Sequence, residues 1–254
     1  MSLLEDLSRA LASNEPRILT IDIETSPNVA YVWGLWDQNV GTSQLIEPSR
    51  VLCVAAKWHG QKDVVYVDER AGRKKMLQRV WDLLDQADVV VGYNHEQFDI
   101  PHLHREFLLA GLLPPSPYQT IDLLKVNRRR FKFPSNRLGY VSETLGIGSK
   151  LETGGQALWR DVLAGDERAW ARFQKYNIQD VRLTEELFDL LAPWIRLPHR
   201  GQWSGEMRSC YACGSIELVP MGVIYGKAVS YPKAQCSDCG AWNKVMKNGE
   251  TRAA

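Results

Sequence analysis

The sequence predicts an α/β fold, a mixed sheet flanked by helices, with a small cysteine-bearing domain appended. An alternating strand pattern over residues 17–24 precedes further β-type runs, and the all-apolar Val89-Val90-Val91 follows a helical period as a strand buried on both faces. Four of the five cysteines fall in two CxxC pairs near the carboxyl end. A length of 254 residues suits one ordinary domain plus an appendage, and is too short to add a polymerase. Hydrophobic residues at 44% and charged residues at 24% exclude a wholly disordered chain. The net charge of +1 provides no global field, so a nucleic-acid partner would need local basic patches. Apolar runs such as Phe107–Leu113 fall far short of the roughly 20 residues a membrane span needs. The first 16 residues carry acids early and lack the basic-then-apolar order of a secretory signal, so a cytoplasmic location is expected.

In chain order, Leu3, Leu4, Leu7 and Leu11 stand at helical spacing and Pro16 closes a short leading helix. Arg17–Glu24 sets Leu19, Ile21 and Ile23 on one strand face and Thr20, Asp22 and Glu24 on the other. Val51–Trp58 and Asp63–Val67 are β-type, and residues 59–62 suit a hairpin turn, so the sheet opens as a meander. Leu77, Val80 and Leu84 mark a helix over Arg73–Ala87, and the strand at Val89–Val91 completes a crossover. Pro101 fits the first turn of the next helix and Gly111 its carboxyl cap. Tyr118–Leu124 reads as a strand, Leu138, Val141 and Leu145 as a short helix ending at Gly146, residues 148–155 as a loop, and Asp166 to Trp194 as one long helix. Beyond Pro193 and Pro198 the composition shifts, giving a domain over 1–195, a linker over 196–206 and a second domain over 207–254.

Two like charges side by side on a strand face repel unless a cation or protons intervene, so Asp22 and Glu24 point to a metal, although Asp-x-Glu alone also suits a solvated sheet face. Asp99 closes the stretch Gly92-Tyr93-Asn94-His95-Glu96-Gln97-Phe98-Asp99 at the carboxyl edge of the sheet, where α/β sheets build sites. Asp180 follows Tyr176 by one helical turn, on the same face.

In this order and spacing, the three motifs resemble those of the DnaQ-like, RNase H-fold 3′-to-5′ exonucleases, over roughly residues 15–195. Tyr176, with Lys175 where the histidine subgroup would need His, places the resemblance in the tyrosine (DEDDy) subgroup. The second and third motifs are most similar to the proofreading domain of family B DNA polymerases. The resemblance implies an RNase H-like fold and a nuclease that shortens single-stranded DNA or frayed 3′ ends to nucleoside monophosphates, in replication or repair. It implies two Mg²⁺ or Mn²⁺ ions, with Asp22 bridging both, Glu24 and Asp180 on the nucleophile side, and Asp99 acting through bound water. Tyr176 would orient the attacking water, since a phenol with a pKa near 10 is a poor base at neutral pH. The same carboxylate geometry also serves an exoribonuclease trimming RNA 3′ ends. A catalytically silent nucleic-acid-binding or scaffold module is disfavoured by the complete set of acids.

Substrate contacts are expected from Asn94, also an ordinary turn residue, and from Phe98, which reads as core packing before it reads as a base-stacking contact. Lys125, Arg128, Arg129 and Arg130, followed by Phe131, form a basic cluster suited to a strand backbone. Trp33 and Trp36 suit stacking and core equally, and His95, His102 and His104 receive no role. Asp122 reads as a supporting acid and the substitute should Asp99 fail.

Cys210-x-x-Cys213-Gly and Cys236-x-x-Cys239-Gly, with 22 residues between the pairs, suit one structural Zn²⁺ held by four thiolates in a zinc ribbon. Few large aliphatics accompany them, so the metal would supply much of the folding free energy. Residues 196–254 carry eight Lys/Arg against four Asp/Glu, a net of +4 that leaves −3 for the rest of the chain. A mildly basic ribbon suits nucleic acid and a protein partner equally. Cys53 is left over as an inert core residue.

Overall fold

The structure, a computed structural model, describes residues 15–152 and 154–254; the expected leading helix at residues 3–11 lies outside them. The chain divides into two compact units, Ile18–Glu186 and a second that holds Leu187–Ala254.

The first unit is a five-stranded mixed sheet with helices on both faces. Its strands are β1 (Ile18–Thr25), β4 (Val51–Trp58), β5 (Val65–Asp68), β6 (Val89–Gly92) and β7 (Gln119–Asp122), in the order β5-β4-β1-β6-β7. A short pair, β2 (Val29–Ala30) and β3 (Leu45–Glu47), lies in the excursion between β1 and β4. The opening meander is present: β4 runs antiparallel to both β1 and β5. Strands β6 and β7 run parallel to β1, so their carboxyl ends share its edge.

Alternation along β1 fixes the two faces. Leu19, Ile21 and Ile23 join a core with α1 (Arg73–Asp85) and α2 (Asp99–Leu109), through Leu77, Val80, Leu84 and Leu103 among others. Leu52 and Cys53 of β4 join a second core with Leu158 and Val162 of α5 (Gln156–Leu163) and Trp170 and Phe173 of α6 (Glu167–Leu191). Each fully buried Leu or Phe contributes roughly 1.5–3 kcal/mol, so the two layers hold the sheet edge rigid. On the α6 side, Lys57 of β4 pairs with Glu185, both buried. Asp166 caps α6, accepting the Ala169 N–H at 2.7 Å.

The segment expected as one strand over Tyr118–Leu124 changes structure at Asp122. That carboxylate accepts the Leu124 N–H at 3.0 Å and so starts α3 (Leu123–Arg130). The basic cluster therefore lies on a helix, with Arg128, Arg129 and Arg130 exposed in its last turn. α4 (Leu138–Thr144) follows it.

The second unit holds a one-turn helix, α7 (Gly201–Ser204), and a four-stranded antiparallel sheet of β8 (Leu218–Tyr225), β9 (Ser230–Cys236), β10 (Trp242–Val245) and β11 (Thr251–Ala253) in the order β11-β10-β9-β8. Both CxxCG motifs close the same way: Gly214 N–H donates to Cys210 O at 2.9 Å and Gly240 N–H to Cys236 O at 3.0 Å. These glycines have φ of +82° and +75°, the left-handed region only glycine enters without strain. Around the knuckles Cys210, Tyr211, Ala212, Cys236 and Ala241 form one hydrophobic cluster, and Leu187, Phe188, Leu191 and Ile195 of the same unit are buried as well. No helix among the described residues is long and apolar enough to cross a membrane.

Candidate active site

Strand alternation and helix pitch bring three of the sequence-predicted acids together. Asp22 and Glu24 project from the same face of β1, toward α6, which supplies Tyr176 and Asp180. One carboxylate oxygen each from Asp22, Glu24 and Asp180 lies within 4.8 Å of the others.

Asp99 stands beside this group, held by the backbone. The β1–β6 ladder pairs Ile18 to Thr20 only, and where it has ended the Ile23 N–H donates to Asp99 Oδ1 at 2.9 Å. Its charge still reaches Asp22 and is the largest electrostatic repulsion there. Asp122, expected as a possible substitute, has one oxygen committed to the Leu124 N–H and to the Asn94 N–H at 2.9 Å. It is a helix cap and loop anchor; its Oδ2 is buried without a hydrogen-bond partner among the described residues, and neither Asp122 nor Asp99 belongs to the group of three.

The electrostatics are those of crowded, buried acids whose mutual repulsion Lys150 offsets only in part. Burial first, then the charges of Asp99, Glu24 and Asp180, hold the Asp22 carboxyl well above the usual carboxylate range. Burial, then Asp180, pushes Glu24 up to about 8. Burial, with a smaller push from Asp122, takes Asp99 to about 7 against the pull of its backbone hydrogen bonds. Asp180 is raised by burial, and its Oδ1 is buried without a hydrogen-bond partner among the described residues. An unsatisfied buried carboxylate oxygen beside two more acids is what a cation site requires.

Two side chains complete the group without having been singled out from sequence. Lys150, from the loop before α5, donates to Tyr176 Oη at 3.2 Å and to Asp180 Oδ2. Burial works against its charge, but Asp180 and Tyr176 outweigh it and hold the ammonium above its ordinary range. Asn177, fully buried between the two motif residues of α6, donates to both the backbone oxygen and Oδ2 of Asp22, at 3.1 and 2.6 Å. Its Oδ1 faces the Cys53 thiol at 3.7 Å, which places Cys53 in the core as expected. Burial, then Asp180, raises the Tyr176 phenol to about 12.

Asn94 adopts φ +66°, and its carbonyl accepts the N–H groups of Gln97 and Phe98, so it forms the turn that delivers Asp99. Gly92 makes room for the buried His95 beneath that turn, since a Cβ there would meet the imidazole at 2.6 Å. Phe98 corrects the core-packing expectation: it is 39% exposed, because it directly precedes α2 with its ring edge against His102. Trp33 and Trp36 likewise leave the core reading behind, at 85% and 83% exposed in the excursion after β1. Lys125 pairs with Glu96. An open cleft of about 890 Å³ begins at Thr25, one residue past Glu24, and runs along α5; Trp159 lines it, donating to Thr25 O at 3.0 Å.

In the second unit the Sγ atoms of Cys210, Cys213, Cys236 and Cys239 all lie within 4.8 Å of one another, and the cluster fits a zinc ribbon.

The fold has counterparts in known proteins. The RNase H superfamily model matches residues 19–192, more than half of the chain, and the chain belongs to that superfamily. Its fold is similar to the family B DNA polymerase from the hyperthermophilic archaeon Pyrobaculum calidifontis, with a TM-score of 0.52 and 18% identity over 86% of this chain. The match spans about a third of the polymerase, 32% of its length. Among curated proteins, no match to the chain was found.

Proposed function

We propose that this protein is a 3′-to-5′ exonuclease of the DEDDy type, which removes nucleoside monophosphates from single-stranded DNA or frayed 3′ ends. The carrying observation is the convergence of Asp22, Glu24 and Asp180 within 4.8 Å, with a buried Asp180 oxygen left unsatisfied. Such a group holds hard divalent cations, Mg²⁺ or Mn²⁺, with Asp99 beside it. When bound, the ions lower the pKa of water and offset charge on the leaving 3′ oxygen.

The chain's own residues do the rest. Asn177 fixes the Asp22 carboxylate, so that its free oxygen is oriented before anything binds. Tyr176, with its phenol raised to about 12, stays protonated and acts by donating a hydrogen bond to the attacking water or the scissile phosphate, not as a base. Lys150 keeps a positive charge where a phosphodiester would enter. Asn94, the exposed Phe98 and the cleft behind Thr25 supply contacts for the terminal nucleoside, and the arginines ending α3 supply contacts for phosphates upstream. Similarity to a DNA polymerase supports DNA as the polymer.

In the second unit, the Cys210–Cys239 and Cys213–Cys236 sulfurs are each 3.7 Å apart. Sulfurs about 2.3 Å from a tetrahedral Zn²⁺ would be separated by roughly 3.8 Å. We assign one structural Zn²⁺ to this cluster.

The test uses 5′-labelled DNA and RNA oligonucleotides with Mg²⁺ or Mn²⁺, comparing the native chain with Asp22→Ala. A ladder shortening from the 3′ end, at least ~10³-fold slower in the variant, is expected on DNA. No shortening of either polymer would refute the nuclease reading, and a ladder on RNA alone would refute the choice of polymer.

A further inference from the structure

The register of the ribbon sheet sorts its side chains into two unlike faces. Asn243 pairs with Ala234 on one side and Ala253 on the other, and Asn243 and Ala234 are buried. One residue further, Lys244 pairs with Lys233 of β9 and with Arg252 of β11, so three cations stand in a row across three adjacent strands on the opposite face. Neighbouring strands lie about 4.8 Å apart, and like charges directly opposite destabilise a sheet. Among the described residues no carboxylate answers them from within the strands of this sheet: Glu206, Glu217, Asp238 and Glu250 all lie in turns or loops.

Aromatic rings hold the row in place. Lys233 Nζ lies 5.1 Å over the ring of Trp242, and Lys244 Nζ lies 4.4 Å over the ring of Tyr231. Strand alternation puts both rings on the cationic face, and Trp242 is 38% exposed. A cation–π contact orients an ammonium without neutralising it, so its N–H donors stay available to an anion. Rings interleaved with cations that face no strand carboxylate among the described residues fit bases that stack and phosphates that pair. An acidic protein segment would match the charges but leave the rings without a planar partner.

We infer that this face of the ribbon, formed by Tyr231, Lys233, Trp242, Lys244 and Arg252, binds single-stranded nucleic acid as a surface separate from the carboxylate cluster. The inference does not depend on cleavage, since it concerns binding alone.

The test measures fluorescence anisotropy of a 5′-labelled oligodeoxythymidine against the full, zinc-loaded chain carrying Asp22→Asn, in buffer without Mg²⁺ or Mn²⁺, over a series of salt concentrations. Adding Lys233→Gln, Lys244→Gln and Arg252→Gln together should weaken binding at least about tenfold and lower the slope of log Kd against log salt by about 2, as expected for three lost phosphate contacts. Adding Tyr231→Ala and Trp242→Ala should weaken binding about tenfold with the slope kept, as expected for lost stacking. One zinc per chain certifies the fold of each variant. If the triple variant loses zinc, Lys244→Gln alone should lower the slope by about 0.7. Affinity and slope unchanged in zinc-replete variants would overturn the inference. So would binding abolished by Arg128→Gln, Arg129→Gln and Arg130→Gln alone, or polyglutamate competing as well as the oligonucleotide, which would mark the face as one for acidic protein.

Discussion

The two units each gather four metal-ligand candidates and stand in opposite relations to them. In Ile18–Glu186 the packed layers on both faces of the sheet exist apart from the acids, and the acids strain the unit, each held above its usual pKa by burial and by its neighbours. In the ribbon, Cys210 and Cys236 are themselves members of the hydrophobic cluster, and both knuckles close on glycine beside it. The first fold creates its site; under the zinc assignment proposed above, the ribbon would draw much of its folding free energy from the metal. Function tolerates electrostatic cost where an apolar core offsets it, whereas ligands that are part of a hydrophobic cluster serve structure first.

The largest effect should come from the thiols. Cys236→Ser should take bound zinc from one ion per chain to none and remove a metal contribution on the order of 10 kcal/mol. Limited trypsin digestion should then cut the chain rapidly beyond Arg196, while Ile18–Glu186 stays resistant and keeps its own thermal transition. A zinc-free variant whose ribbon still resists trypsin would break the contrast, because that ribbon would possess a sufficient core of its own.

A smaller effect, of the opposite kind, should come from pH. The folded Glu24 titrates at about 8 against an ordinary 4.5, and Asp99 at about 7 against 3.8, so between those limits the folded state holds protons that the unfolded chain has released. Stability therefore falls as pH rises through that window. Without Mg²⁺ or Mn²⁺, the melting temperature of the zinc-loaded protein should drop by several degrees from pH 5 to pH 8, a change on the order of a few kcal/mol, and millimolar Mg²⁺ should remove the drop. A melting temperature that rises or stays level over that range would show that the acids are not strained.

Much of this contrast is legible in the sequence, for local reasons. Period-two alternation in β1 dictates that Asp22 and Glu24 share a face, one helical turn joins Tyr176 to Asp180, and CxxCG spells the knuckle in adjacent residues. What is not legible depends on where ladders stop. Asp99 approaches β1 because β6 pairs only as far as Thr20, and Leu123 begins a helix because Asp122 caps it. Phe98 reads as core packing and Trp33 as core or stacking alike, and only the turn before α2 and the excursion after β1 decide that both are exposed.

Lys150 is the extreme case, since it reaches the site from a loop 26 residues before Tyr176 and 30 before Asp180, with no periodicity to announce it. Its charge opposes the raised pKa of Asp22, Glu24 and Asp180 alike. Lys150→Met should therefore raise all three, and because ionised carboxylates are the ones that hold cations, the acidic limb of the pH–rate profile should move to higher pH. Activity at pH 7 should fall about 10- to 100-fold, mainly in kcat, with partial rescue by Lys150→Arg. This is the finest test of the contrast, because it asks whether the strain among the acids is tuned by one side chain. An unmoved acidic limb would mean that Lys150 only packs against Tyr176, and that burial and mutual repulsion alone set the charge state of the cluster.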